Sequence, residues 1–344
     1  MKLRRICVFG AGAIGGHLAA KFAAAGHEVS VVARGANLAA IRANGVALRE
    51  GAQADARTIA GRVRASDTTS DLGAQDVVFV TTKATALAGL PSEVSALSGA
   101  DTSFVFVQNG IPWWYSMGLA IERPRPPDLS RLDPGNALSR AIAPQNVIGA
   151  VVYSSNDLAQ PGVIVNYTSG RDMLVLGEID DRASDRVAAL RGLLTEAGMH
   201  SPHTGDIRQS VWDKLLLNFG SSLCVPIGEP VSALAADPAL RAVRERIVAE
   251  GRAIAKAHGV SLESVPKRPG GTQSAGAIVN SAGATAHKPS MLQDYEIGRP
   301  MEVDAILAVP CAFARAAGVP APTLEAVHAL IARMAARKGL YSSP

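Results

Sequence analysis

Lys214, Asn218 and Ser222 fall four residues apart along Trp212-Asp213-Lys214-Leu215-Leu216-Leu217-Asn218 and its continuation, a stretch that reads as helix. Side chains at that spacing share one helical face. A lysine, an amide and a hydroxyl on one stripe of a helix otherwise full of Leu and Trp make a polar line toward a cleft. A lysine buried there must be paired or take part in chemistry. A second polar cluster, Ser290-Met291-Leu292-Gln293-Asp294, precedes Glu302. Ser290 could donate to a carboxylate, and Glu302 could accept from a ligand hydroxyl or pair with Lys214. The plainer alternatives are a solvated helix face for the stripe and an ordinary first-turn acid for Glu302.

A different chemistry is written near the N-terminus. Gly10-Ala11-Gly12-Ala13-Ile14-Gly15 follows an apolar strand at residues 5–9 and opens an alanine-rich helix over about 13–25. In that context Gly10 allows the tight turn, Gly12 lets backbone approach a pyrophosphate, and Gly15 lets helix and sheet pack closely. The helix start offers unpaired N–H groups and a favourable dipole to phosphate. The next strand, residues 28–33, ends in Arg34 rather than in Asp or Glu. An acid there would bond the adenosine ribose, whereas an arginine suits the extra 2′-phosphate of NADP(H). Asn37 is a weaker candidate to assist it. Lys83 and Asn109 each follow a strand, where ligands of such sheets sit. Lys83 could approach the cofactor ribose or a substrate carboxylate, and Asn109 the nicotinamide ribose or the substrate. The alternatives are a surface lysine and an Asn-Gly turn former.

These residues need a scaffold. Residues 76–81 and 103–107 are dense in β-branched and aromatic residues and read as buried strands. Residues 147–153, 162–167 and 173–176 read as three more, expected to extend the same sheet. Beyond about 180 strands nearly vanish, and helices are expected at 185–197, 207–223, 238–258, 301–317 and 323–338. The expected fold class is therefore an α/β Rossmann N-terminal domain, residues 1–180, followed by an all-α C-terminal domain, residues 181–344. Residues 263–280 read as a loop with a short helix, and 124–136 as a turn-rich insertion.

Composition removes other classes. At 344 residues, 48% apolar and 19% charged, the chain has material for two cores and is not disordered. The 34 Lys+Arg against 30 Asp+Glu leave a net charge of +4, which mildly favours anionic ligands and does not signal nucleic-acid binding. Cys7, Cys224 and Cys311 lie far apart, which argues against a disulfide framework and fits a reducing cytoplasm. No uninterrupted run of 18 apolar residues predicts a membrane span. His17, His27, His200 and His203 build no metal site, and His287 carries only a weak flag.

With these residues in view, the sequence resembles the ketopantoate reductase family over nearly its whole length. The resemblance rests on GAGAIG at 10–15, Arg34, TTK ending at Lys83, QNG at 108–110, WDKLLLN at 212–218 and HKPSMLQDYEIGRPMEVD at 287–304. It implies NADPH-dependent reduction of 2-dehydropantoate to (R)-pantoate, a step toward pantothenate. Lys214 then matches the catalytic general acid and Glu302 the conserved active-site acid. Asn218 and Ser290 match substrate-binding residues. Asn109 and Lys83 match residues near cofactor and substrate, and Arg34 the 2′-phosphate reader. Two departures motivate an alternative, a related reductase of a bulkier 2-oxo or hydroxy acid. Ser222 stands where many members carry a second asparagine. Trp113-Trp114-Tyr115 follows QNG, where the aromatics could form an apolar wall or lid, or else pack the insertion. The expected partner is a small 2-oxo acid, with no nucleic acid and no membrane. The alanine-rich helical half could supply the surface of a homodimer.

Overall fold

The computed structural model describes residues 5–53, 55–263 and 288–342. His287 and nearly all of the expected 263–280 loop lie outside them. The described residues form two compact units, one of residues 5–108 and 136–207, the other of residues 109–135, 208–263 and 288–342.

The first unit is built on β1 (Arg5–Phe9), α1 (Ala13–Ala24), β2 (Glu28–Val32), α2 (Gly35–Asn44), β3 (Val46–Arg49), β4 (Thr58–Gly61), β5 (Arg64–Ser66), β6 (Val77–Val80), α3 (Pro91–Leu97), β7 (Ser103–Phe106), α4 (Ala137–Ala141), β8 (Val147–Val152), β9 (Asn156–Gln160), β10 (Val163–Asn166), β11 (Leu174–Glu178) and α5 (Asp185–Glu196). The large sheet has the order β11-β8-β7-β6-β1-β2-β5. All its pairs are parallel except β11 with β8. β6, β7 and β8 are buried at every position, which is why they read as unbroken apolar runs. The chain reverses its direction of travel between β1 and β6, so their carboxyl ends flank a topological switch point.

One of the three later strands does not extend this sheet. β10 joins a second sheet of order β4-β3-β10-β9. The reason lies in α1, which is buried at every residue from Gly15 to Phe22. A helix buried all round must be covered on both sides. The large sheet covers one side through β1 and β2, and the small sheet covers the other through β3, β4, β9 and β10. Gly16 permits the contact, because a Cβ there would lie 2.3 Å from Ile164 Cδ1.

The units also do not divide at residues 180/181. Leu190, Leu193 and Leu194 of α5 join the apolar core of the first unit, packed on β11. Residues 109–135 belong to the second unit.

A buried polar network ties α1 to the small sheet. The Asp172 carboxylate accepts from Asn166 Nδ2 at 2.6 Å and Thr168 Oγ1 at 3.1 Å, and lies 3.6 Å from His17 Nε2 and 3.8 Å from Lys21 Nζ. Burial pushes this carboxyl up. His17, Asn166 and Lys21 beside it outweigh that and hold it at about 2. A carboxylate whose folded value is depressed adds stability above its unfolded value, near 4, and loses it as pH falls through the folded one. Unfolding free energy from urea titrations should therefore drop by about 2 kcal/mol more between pH 4 and pH 2 in the wild type than in Asp172→Asn. Equal slopes in the two proteins would contradict this account.

The second unit contains α6 (Ile207–Ser222), α7 (Cys224–Ile227), α8 (Val231–Ala236), α9 (Pro238–Ala257), α10 (Ser290–Ile297), α11 (Val309–Ala316) and α12 (Pro322–Arg337). A π-helical turn, Asp304–Ala308, leads into α11, so the helix expected over 301–317 is not regular. Pro310 accounts for this, since it has no N–H to donate and its ring crowds the carbonyl one turn earlier.

The aromatic run is part of this unit's core. Trp113, Trp114 and Tyr115 are 4%, 1% and 3% exposed. Tyr115 Oη accepts from Trp212 Nε1 at 2.7 Å, and its ring meets Phe313 edge-on. Arg208, fully buried, lies over the Trp114 and Tyr115 rings and donates to the Tyr115 and Met117 carbonyls. The run is packing, not a wall or lid. The 124–136 insertion packs likewise. Leu129 is buried, and Arg131 pairs with Asp304 at 3.2 Å.

Candidate active site

In the first unit the glycine-rich loop joins β1 to α1. Gly10 has φ +108°, in the region that favours glycine, and a Cβ there would meet Thr82 Cγ2 at 2.7 Å. A Cβ on Gly15 would sit 1.9 Å from Gly10 O, so helix and loop close only over glycine. Thr81 Oγ1 donates to Gly10 O at 2.6 Å and fixes the turn from the end of β6. A Cβ on Gly12, by contrast, would project into open space. Gly12 is the N-cap of α1 and no side chain caps that end. The first N–H groups of α1, beginning at Ala13 and Ile14, therefore face outward at a place backbone can approach. A pyrophosphate fits such a cradle.

Arg34 stands at the end of β2, exposed, as the N-cap of α2. No carboxylate pairs with it among the described residues. Asn37 does not assist it. Its Nδ2 donates to Ala11 O at 2.7 Å and its Oδ1 accepts from Gly162 N at 2.8 Å, so its amide ties the glycine loop to the β9–β10 turn. Lys83 is half-buried after β6, at the head of the 3₁₀ turn Ala84–Gly89. Gln108 Nε2 donates to Val80 O at 2.8 Å and Thr82 O at 2.9 Å, lacing the ends of β6 and β7. Thr81 and Gln108 are supporting residues the sequence reading did not assign, and Asn37 takes a role other than the one expected of it. The only local signal was the place of Thr81 and Gln108 within TTK and QNG.

Asn109, Lys214, Asn218, Ser222, Ser290 and Glu302 all belong to the second unit. Along α6, Trp212, Leu215, Leu216 and Phe219 are fully buried, while Lys214 and Asn218 are half-buried on the opposite face. Asn218 Nδ2 is buried with no hydrogen-bond partner among the described residues. Leaving an amide donor unsatisfied costs about 1–3 kcal/mol, so Nδ2 is available to an acceptor. Ser222 differs. It is 1% exposed and its hydroxyl donates to Phe219 O at 2.7 Å within its own helix. Toward a ligand it retains only acceptor capacity. Ser290 is the exposed first residue of α10, which packs on α7 directly after α6. Glu302 is 6% exposed, and its carbonyl accepts from Ile306 N at 3.1 Å at the start of the π turn. Asn109 is half-buried immediately before Gly110.

Among the described residues no group of three or more His, Cys, Asp and Glu could hold a metal ion, and no helix is long and apolar enough to cross a membrane. Cys7, Cys224 and Cys311 are free and buried, and burial pushes each thiol up to about 12.

A glycine cradle at the switch point of a β5-β2-β1-β6-β7-β8 parallel sheet, with a helical unit carrying a Lys/Asn/Glu set, defines a dinucleotide-dependent oxidoreductase of the Rossmann class. Comparison with known proteins narrows this. Residues 6–181 match the family Ketopantoate reductase PanE/ApbA, and residues 206–335 match its C-terminal part. The chain belongs to the ketopantoate reductase family. The 2-dehydropantoate 2-reductase of Mesorhizobium japonicum is 40% identical over 98% of this chain and 100% of the relative. That of Archaeoglobus fulgidus is 26% identical over 89% of each. Among solved structures, the candidate ketopantoate reductase of Ralstonia solanacearum MolK2 superposes with a TM-score of 0.83 at 34% identity, covering 99% of this chain and 100% of that one. A D-mandelate dehydrogenase with NADH and anilino(oxo)acetate, 18% identical, shares the fold with a TM-score of 0.78, covering 98% and 100%.

Proposed function

We propose that the protein reduces 2-dehydropantoate to (R)-pantoate with NADPH. The observation that carries this is the full-length likeness at 40% identity to a 2-dehydropantoate 2-reductase, together with the complete Lys214, Asn218, Ser290 and Glu302 set in one unit. NADPH, when bound, supplies the hydride. Gly10, Ala11, Gly12, Ala13, Ile14 and Gly15 would hold its pyrophosphate, Arg34 its 2′-phosphate, and Lys83 and Asn109 its ribose side.

Lys214 donates a hydrogen bond to the substrate ketone oxygen and delivers the proton as that oxygen becomes an alkoxide. Asn218 offers its orphaned Nδ2 to a substrate oxygen. Ser290 donates to the carboxylate, and Glu302 accepts from a hydroxyl or holds Lys214 charged. We assign Ser222 a spacing role, given its bond to Phe219 O. With the aromatic run in the core, one of the two motives for a bulkier substrate loses its support, and Ser222 is the other. A cytoplasmic location is supported by three unpaired, buried cysteines. A homodimer remains part of the proposal by analogy with the dimeric enzyme of Staphylococcus aureus, whose 19% identity speaks to fold alone.

The test is the initial rate of NADPH oxidation with 2-dehydropantoate beside a panel of other 2-oxo acids, repeated with NADH. Preferred turnover of 2-dehydropantoate with NADPH supports the reading. A stronger response to an aromatic 2-oxo acid would overturn the substrate assignment.

A further inference from the structure

The π turn exposes one backbone carbonyl. Val309 N donates to Asp304 O, five residues back, so it is not available to Ala305 O. The next donor in the π pattern would come from residue 310, which is proline and has none. Ala305 O is therefore left without a partner in its own helix. The partner comes from far along the chain, where Ile111 N donates to it at 2.8 Å. Gly110 makes the approach possible. It has φ +79°, and a Cβ there would lie 2.4 Å from Ala305 O and 2.5 Å from Ala305 C. One residue earlier, Asp304 is fastened to the same 109–135 segment, with its carboxylate accepting from Arg131 at 3.2 Å and from Tyr341 Oη at 2.8 Å. The hydrogen bond thus joins a residue two after Asn109 to one three after Glu302.

We propose that Gly110, Ile111 and Pro310 form a backbone lock that positions Asn109 and Glu302 relative to each other for reduction of the ketone, an inference that rests on the roles just proposed for those two side chains. Proline in a helix interior sacrifices a hydrogen bond. Here the loss frees the acceptor that holds the Asn109 loop. None of the three side chains carries a polar group to offer a substrate, so the role is one of positioning.

The lock separates stability from turnover. Gly110→Ala would strain the loop and clash with Ala305, so Pro310→Ala is the deciding variant. Alanine restores an N–H at 310 and a strong helix former. The helix can then satisfy its own carbonyls and release Ile111 N–H. Pro310→Ala is expected to melt no lower than the wild type, to bind NADPH as before, and to lose hydrogen-exchange protection at the Ile111 amide. Its kcat should fall by roughly 10- to 100-fold, the scale of a misplaced reacting group. A merely structural proline would not yield an equally stable, slower enzyme. Unchanged kcat and KM in a variant whose Ile111 amide has become exchangeable would overturn the proposal, as would an unprotected Ile111 amide in the wild type. Failure of the wild type to reduce 2-dehydropantoate would count against the substrate assignment instead. The 2-oxo acid it does reduce would then serve for the same comparison.

Discussion

Lys214→Ala is expected to lower kcat for 2-dehydropantoate by roughly 10²- to 10⁴-fold, the scale of a lost general acid. The expectation follows from where α6 places the side chain. Its neighbours Leu215 and Leu216 are fully buried, while Lys214 stays half-buried on the face it shares with Asn218. An ammonium there meets the alkoxide only as charge develops on it, so its removal should raise the barrier and leave NADPH binding unchanged. Initial rates give kcat, and quenching of NADPH fluorescence gives cofactor affinity. A loss of less than about threefold, under about 1 kcal/mol of barrier, would remove Lys214 from the chemistry. A parallel loss of NADPH affinity would point to misfolding of the first unit rather than to proton transfer.

Arg34→Ala should raise KM for NADPH by roughly 10- to 100-fold, corresponding to one or two charge-assisted hydrogen bonds. KM for NADH should hardly change. Arg34 is exposed and has no acid partner among the described residues, so its charge is free for a phosphate and is also screened by salt. The comparison must therefore be made at one fixed ionic strength. Equal losses with both cofactors would show that the residue shapes the end of β2 rather than reading the 2′-phosphate.

Much of this was legible in the sequence, for local reasons. β1, β6, β7 and β8 are continuous apolar runs because both faces of a central parallel strand are covered. The glycines of 10–15 sit in a local strand-turn-helix motif, where Gly15 closes on Gly10 O five residues back, although the approach to Gly10 comes from distant Thr82. The Lys214 stripe follows from helical spacing alone. What was not legible depended on distant partners. Thr58–Gly61 and Asn156–Gln160 are half-exposed strands with little apolar signal, so the small sheet and the diversion of β10 into it were missed. Trp113-Trp114-Tyr115 lies next to Asn109 in sequence, yet Arg208, Trp212 and Phe313 draw it into the core. The π turn could be suspected from Pro310, but its carbonyl finds a partner almost two hundred residues away. The border near residue 180 failed for the same reason, since a leucine-rich helix such as α5 carries no mark of which core it will join.

Asn37 has a practical consequence for anyone who would exchange the cofactor preference. Transplanting the turn between β2 and α2 from an NAD-dependent protein is the obvious route, because it replaces Arg34 in one piece. In this chain the first turn of α2, directly behind Arg34, carries the Asn37 amide that holds Ala11 O and Gly162 N, the latter 125 residues away. The segment is not a portable cassette. A graft that alters position 37 would loosen the pyrophosphate loop while meaning only to change the ribose end, and both cofactors would bind poorly. Point substitution at 34 with Asn37 retained keeps the two properties separable.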